Sequence, residues 1–133
     1  MELHQGRLID HVHLRVSDLD RSKRFYRAVL GSLGRDRTTE SERHFAADEL
    51  FVSADGESTS RLHLSFQAAD RDAVRRFHEA GVSAGGRDNG APGERPYHPG
   101  YYASYVLDPD GNNIEAVHHG PARRSAASVV IDF

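Results

Sequence analysis

The chain has 133 residues, 38% of them hydrophobic and 28% charged, with a formal net charge of −3, nine histidines and no cysteine. That length fits one domain with a real core, and the charge gives no general electrostatic reason to bind nucleic acid or a membrane surface. Without cysteine there is no disulfide framework, thiolate nucleophile or cysteine-based zinc site, so any metal must be held by nitrogen and oxygen ligands.

The chain begins Met1-Glu2-Leu3-His4-Gln5, without the basic and apolar regions of a secretory signal. No later run approaches the roughly 20 apolar residues of a membrane span, and a cytoplasmic location is expected. Residues 9–16, IDHVHLRV, alternate and are rich in β-formers, which predicts a strand. The next stretch, SDLDRSKRFYRAVLGSLG, opens on cap residues and places Leu19, Phe25, Val29 and Leu30 at helical spacing before glycines stop it. Its cations, Arg21, Lys23, Arg24 and Arg27, read as a solvated face. Short β-like pieces at 43–47 and 49–54 follow, then the turn ADGES. The second half starts again with a strand, RLHLSFQA at 61–68, and a helix with Asp70 as cap and Val74, Phe77 and Ala80 as its apolar stripe. Residues 85–100, GGRDNGAPGERPYHPG, are rich in glycine and proline and are expected to form a long loop of the kind that serves as a lid. Two strands, 101–107 and 112–118, flank the turn Asp108-Pro109-Asp110-Gly111, and the tail ends in SVVIDF at 128–133, an edge strand or subunit contact.

Superposed without a gap, the halves match His11 with His63, Asp18 with Asp70, Asp20 with Asp72, Arg24 with Arg76, Phe25 with Phe77 and Ala28 with Ala80, all at one offset. Agreement in residue type and in strand–helix order predicts two copies of one supersecondary unit. The expected architecture is a single α+β domain of two βαβββ units, at about 8–55 and 61–119, with a tail at 120–133.

Glu115 stands in the middle of an otherwise apolar strand, so three explanations compete: its face is open to water, it pairs with an arginine, or it binds a metal with histidines from elsewhere. His11 and His13 share a strand face and either is a candidate ligand, but the repeat pairs His11 with His63. His11, His63 and Glu115 then make two imidazoles and a carboxylate on three strands, a triad that leaves coordination positions open.

These residues resemble the vicinal oxygen chelate superfamily of glyoxalase I, bleomycin-resistance proteins, fosfomycin-resistance thiol transferases and type I extradiol dioxygenases. The carriers are IDHVHLRVSDLDRSKRFY at 9–26, LHLSF at 62–66 and LDPDGNNIEAV at 107–117. The resemblance implies paired βαβββ units whose curled mixed sheet surrounds a divalent metal (Fe, Mn, Zn, Ni or Co) held by His11, His63 and Glu115. It also implies a small-molecule substrate and a homodimer in which one site draws ligands from both chains. Glyoxalase I has a second glutamate on the last strand of its first unit; here that strand reads LFVSA at 50–54, without an acid. A histidine, a tyrosine, then Pro and Gly before the glutamate, as in extradiol dioxygenases, fall on His98, Tyr105, Pro109, Gly111 and Glu115, while Pro96 and Ser104 depart from that pattern.

Tyr105 and His98 are therefore the candidate catalytic groups, the phenol as a hydrogen-bond donor and the imidazole as a proton carrier. Tyr101, on the face of Tyr105, with Arg95, Arg87 and His13, are candidate substrate contacts; His13 and His119 are also placed to orient the ligands. The expected function is a metal-dependent reaction of dioxygenase or lyase/isomerase type on a small oxygen-bearing molecule. The alternatives are a metal-free drug-binding protein of the bleomycin-resistance kind and, third, an antibiotic thiol transferase.

Overall fold

The computed structural model describes residues 8–124. In each half a strand leads through an aspartate cap into a helix. After β1 (Val12–Arg15), Asp18 is extended and its carboxylate accepts from the Arg21 amide at 3.1 Å, opening α1 (Leu19–Ser32). After β5 (His63–Gln67), Asp70 accepts from the Ala73 amide at 2.7 Å and opens α2 (Arg71–Ser83). The Asp18/Asp70 match of the repeat is thus a match of helix N-caps, each satisfying an amide that the first turn leaves unpaired. Phe25, Tyr26, Val29 and Leu30 of α1 and Ala73, Val74, Phe77 and Gly81 of α2 are buried. Lys23 corrects the solvated-face expectation: it is only 8% exposed, and its ammonium donates to the Ser41 carbonyl while its stem packs inward.

The remaining strands are β2 (Thr39–Glu40), β3 (His44–Ala47) and β4 (Leu50–Ser53) in the first half, and β6 (Arg87–Glu94), β7 (Tyr102–Leu107) and β8 (Asn113–His118) in the second. The two βαβββ units are present as separate four-stranded mixed sheets, ordered β1-β4-β3-β2 and β5-β8-β7-β6. The first strand of each unit pairs parallel with its last, and the other pairs are antiparallel. One face of each sheet feeds a shared core that includes Leu14, Val52, Phe45, Phe25, Phe77, Val106 and Ile114. The helices meet closely at Gly81, where a β-carbon would sit 3.1 Å from Val106 and 3.2 Å from Val29.

The segment 85–100 corrects the loop expectation, because eight of its residues form β6. β6 is an edge strand with register shifts at Gly90 and Gly93, so it needs ladder bonds on one side only. Pro92 and the glycines are tolerated in such a strand. Among the described residues no helix is long and apolar enough to cross a membrane. The apolar run at 128–133 lies outside the described residues.

Candidate functional site

The position of Glu115 is set from the turn before it. Asp108, 4% exposed, accepts from the amides of Asp110 and Asn112 at 2.9 and 2.8 Å, from the Asn112 side-chain amide at 3.0 Å and from the Tyr26 hydroxyl at 2.6 Å. Asn112 in turn accepts from the Leu62 amide at 2.9 Å, which ties the entry to β5 to the start of β8. β8 then runs with Ser65 of β5 on one side of Glu115 and Tyr105 of β7 on the other.

Glu115 is 1% exposed. His63 Nε2 lies 2.8 Å from Oε1, and the Tyr101 hydroxyl donates to Oε2. A carboxylate out of water needs donors on both oxygens, and here one comes from an imidazole and one from a phenol. Neither open water nor an arginine answers for it. Because a carboxylate only accepts, the shared proton sits on His63 Nε2. The His63 side chain is half exposed, so the buried acid is reached through a histidine at the surface.

Aromatic groups close around this pair. The Tyr105 ring stands 5.9 Å from the His63 ring. Burial, followed by the negative charge of Glu115 and by Tyr97, pushes the Tyr105 hydroxyl up to about 12. Burial and the Glu115 hydrogen bond push Tyr101 further still. Both phenols stay protonated near neutral pH and serve as donors. Arg95 lies over the Tyr105 ring at 5.3 Å, and Gly90 lets that ring approach, since a β-carbon there would come 2.8 Å from its edge. In the 95–101 turn, His98 Nδ1 donates to the Pro99 carbonyl at 2.9 Å, and its Nε2 lies 2.9 Å from His119 Nδ1 with the rings stacked. His98 also meets the Tyr101 ring edge-on at 5.3 Å. Burial, then the neighbouring His98, lowers the pKa of His119.

His11 and His13 lie with the first sheet. His11 is exposed just before β1, with Nδ1 2.7 Å from Asp10. His13 Nε2 lies 2.7 Å from the Ser53 hydroxyl. Arg87 is exposed at the start of β6 in the second sheet. Thus His63, Glu115, Tyr101 and Tyr105 come together, His98 and Arg95 flank them, and His11 and His13 lie on the other sheet. Among the described residues no three His, Asp or Glu side chains are gathered to hold a metal ion. The repeat explains the asymmetry. β5–β8 pairing sets Ser65 beside Glu115, and the same register in β1–β4 sets His13 beside Phe51. A phenyl ring stands where the second half has its acid.

Residues 8–116 match the family model of the glyoxalase/bleomycin resistance protein/dioxygenase superfamily. The chain belongs to this superfamily. Among solved structures, a glyoxalase/bleomycin resistance protein from Albidiferax ferrireducens T118 is 30% identical, with a TM-score of 0.73 over 84% of this chain and 98% of that one. A lactoylglutathione lyase from Agrobacterium tumefaciens, at 19% identity and TM-score 0.61, covers 84% of this chain and 93% of its own. TioX from Micromonospora sp. ML1, at 20% identity and TM-score 0.61, covers 84% and 98%. The last two likenesses are of fold alone. No curated protein matches the chain.

Superfamily membership accounts for the paired βαβββ units. Tyr97, edge-on to Tyr101 at 5.0 Å, and the His98–His119 contact were not singled out from the sequence. The hairpin register was the available signal, because antiparallel pairing of Tyr102 with His118 brings residues 101 and 119 side by side. Ser53 and Asp55, which hold His13, gave no such signal.

Proposed function

We propose that the protein is a metal-dependent enzyme of glyoxalase or dioxygenase type, acting as a cytoplasmic homodimer on a small oxygen-bearing molecule. The observation that carries this reading is Glu115, buried at 1% exposure and in contact with a half-exposed histidine. An imidazole nitrogen and a carboxylate oxygen 2.8 Å apart are donors of the kind that divalent transition metals accept. His63 and Glu115 would hold the ion, with His11 of the partner subunit as third ligand. When bound, the ion supplies electrophilic stabilisation of negative charge on substrate oxygens.

The chain's own groups do the rest. Tyr101 keeps Glu115 oriented by donating to its outer oxygen. Tyr105, still protonated, offers a hydrogen bond to a substrate oxygen, and His98 stands at the rim as a proton carrier. Arg95 and Arg87 supply positive charge from β6 and the turn after it, and His13 faces substrate from the first sheet. The proton on His63 Nε2 must vacate that nitrogen before a metal can bind there.

Metal analysis of protein purified without chelators tests the reading, with about one ion per chain expected. Glu115→Ala should lose most of it while keeping a wild-type circular dichroism spectrum; unchanged stoichiometry would defeat the ligand assignment. Oxygen uptake with a catechol panel separates a dioxygenase from a lyase or isomerase. A second reading, a metal-free binding protein, is favoured by one observation: both oxygens of Glu115 already have donors within the chain. It predicts protein that is metal-free as purified and ligand binding indifferent to chelators.

A further inference from the structure

Of the chain's asparagines, Asn89 alone is followed by glycine. It lies in β6 where the ladder breaks. Asp88 pairs with Val106 and Gly90 with Tyr105, so the shift between them leaves Asn89 as the extra residue of a bulge, without a partner in β7. β6 is the edge of its sheet, and Asn89 is exposed. A bulged, exposed edge opens locally at small cost compared with a central strand.

Both groups of a ring-closing reaction meet at this bulge. The nucleophile is the Gly90 amide nitrogen, whose hydrogen is donated to Asp88 Oδ1 at 3.0 Å. The Asp88 side chain is 62% exposed, so that hydrogen is within reach of base from solvent. His78 Nε2, 2.8 Å from the same oxygen, anchors Asp88 from α2. The electrophile is the Asn89 carboxamide, whose Nδ2 donates to Asn113 Oδ1 of β8 at 3.0 Å. Glycine puts no side chain in the path of attack, and the site admits nothing larger, because a β-carbon on Gly90 would come 2.8 Å from the Tyr105 ring.

We propose that Asn89 is a self-modification site, converted through a succinimide to aspartate and isoaspartate with water as the co-reactant. Hydroxide removes the hydrogen from Gly90 N, and that nitrogen bonds to the side-chain carbonyl carbon of Asn89, closing a five-membered ring. The bond from that carbon to Nδ2 breaks, and the departing nitrogen takes a proton from water and leaves as ammonia, which regenerates hydroxide. Water then opens the ring at either carbonyl. In net, one water is consumed and one ammonia released, and nothing is oxidised or reduced. Either product sets a second carboxylate beside Asp88 and removes the donor that tied β6 to Asn113. Isoaspartate also lengthens the main chain by one carbon just before Gly90, the residue against which the Tyr105 ring lies. The edge strand is thereby loosened while the strands behind it are left intact. The inference uses neither Glu115 nor an ion, so it goes beyond the enzymatic reading.

The test ages the full chain in mildly alkaline buffer, resolves it by ion exchange and maps the acidic form by peptide mass spectrometry. A form with one added negative charge should accumulate, with OH in place of NH2 and isoaspartate at residue 89, while Asn112 and Asn113 remain amides. The folded chain should react within about tenfold of the rate in urea, because the bulge needs little opening. Asn89→Gln, whose ring would be one atom larger, should give no such form at residue 89 while keeping a wild-type circular dichroism spectrum. In the isolated acidic form, amide hydrogens of residues 88–94 should exchange at least about tenfold faster than in fresh protein, with those of β8 unchanged. Modification at Asn112 or Asn113 in place of Asn89, a folded rate below that bound, equal accumulation in Asn89→Gln, or unaltered exchange in β6 would each overturn the proposal. Metal content and turnover enter none of these readings, so failure here and failure of the metal reading appear in separate measurements.

Discussion

Removing Asp108 should unlock the turn that positions Glu115. Asp108 is 4% exposed and accepts four hydrogen bonds, three of them from the buried Tyr26 hydroxyl, Asn112 amide and Asn112 side chain. Asp108→Ala leaves those three donors unpaired, each costing about 1–3 kcal/mol when buried. Water entering the vacated space recovers part of that, so the expected loss is about 3–5 kcal/mol, a large share of the roughly 5–15 kcal/mol that holds a domain folded. In a chain of this size that lowers Tm by about 10–20 °C. Tyr26→Phe removes one bond and leaves the carboxylate three donors, for about 1–2 kcal/mol. Urea unfolding followed by circular dichroism measures both, and the double variant should cost at least about 1 kcal/mol less than the sum, because the partners share a bond. A loss under about 1 kcal/mol for Asp108→Ala, or strict additivity, would refute this account of the turn.

Tyr101→Phe withdraws the donor from one oxygen of buried Glu115 and should cost about 2 kcal/mol in the same unfolding assay. Gly86→Ala should cost about 2–4 kcal/mol, since its β-carbon would lie 2.6 Å from both Phe25 and Val106 and 2.8 Å from the Gly81 carbonyl. Gly34→Ala meets nothing within 4 Å but must hold φ at +77°, for about 1 kcal/mol; Tm values of the two variants should keep that order. His119, its pKa lowered by burial and by His98, is kept neutral in the folded state. The unfolded chain takes up that proton more readily, so stability present above about pH 6.5 is lost as pH falls through the lowered folded value. Urea midpoints at pH 7.5 and 5.0 should converge in His119→Asn relative to wild type.

Much of this architecture could be read from the chain because the strands alternate and the helices open on aspartate. The duplication strengthened both signals: Asp18 and Asp70 coincide as caps, and the repeat paired His11 with His63, of which His63 contacts Glu115. β6 was hidden because composition speaks for a central strand, where Pro92 and two glycines would be costly, and is silent about an edge. Lys23 was misread because helical spacing cannot tell an ammonium in water from one reaching a carbonyl over an apolar stem. Tyr101 was ambiguous for a similar reason: strand alternation gives its face, whereas its bond to Glu115 depends on a turn between β6 and β7 closed by hydrogen bonds from Arg95 N to Tyr101 O and from Tyr101 N to His98 O. The Ser53–Asp55 support of His13 lies one strand over, with no spacing to announce it.

The bond from Tyr26 to Asp108, with Ser17 reaching Asp110 beside it, also bears on how a doubled chain ages. Two tandem copies begin as self-sufficient pieces, and either could in principle be lost. Here a phenol from the front copy finishes the hairpin of the rear one, and both donate to the same oily interior. Cutting the polypeptide near residue 58 should yield fragments that are soluble only as a mixture, complementing each other like the parts of a split reporter.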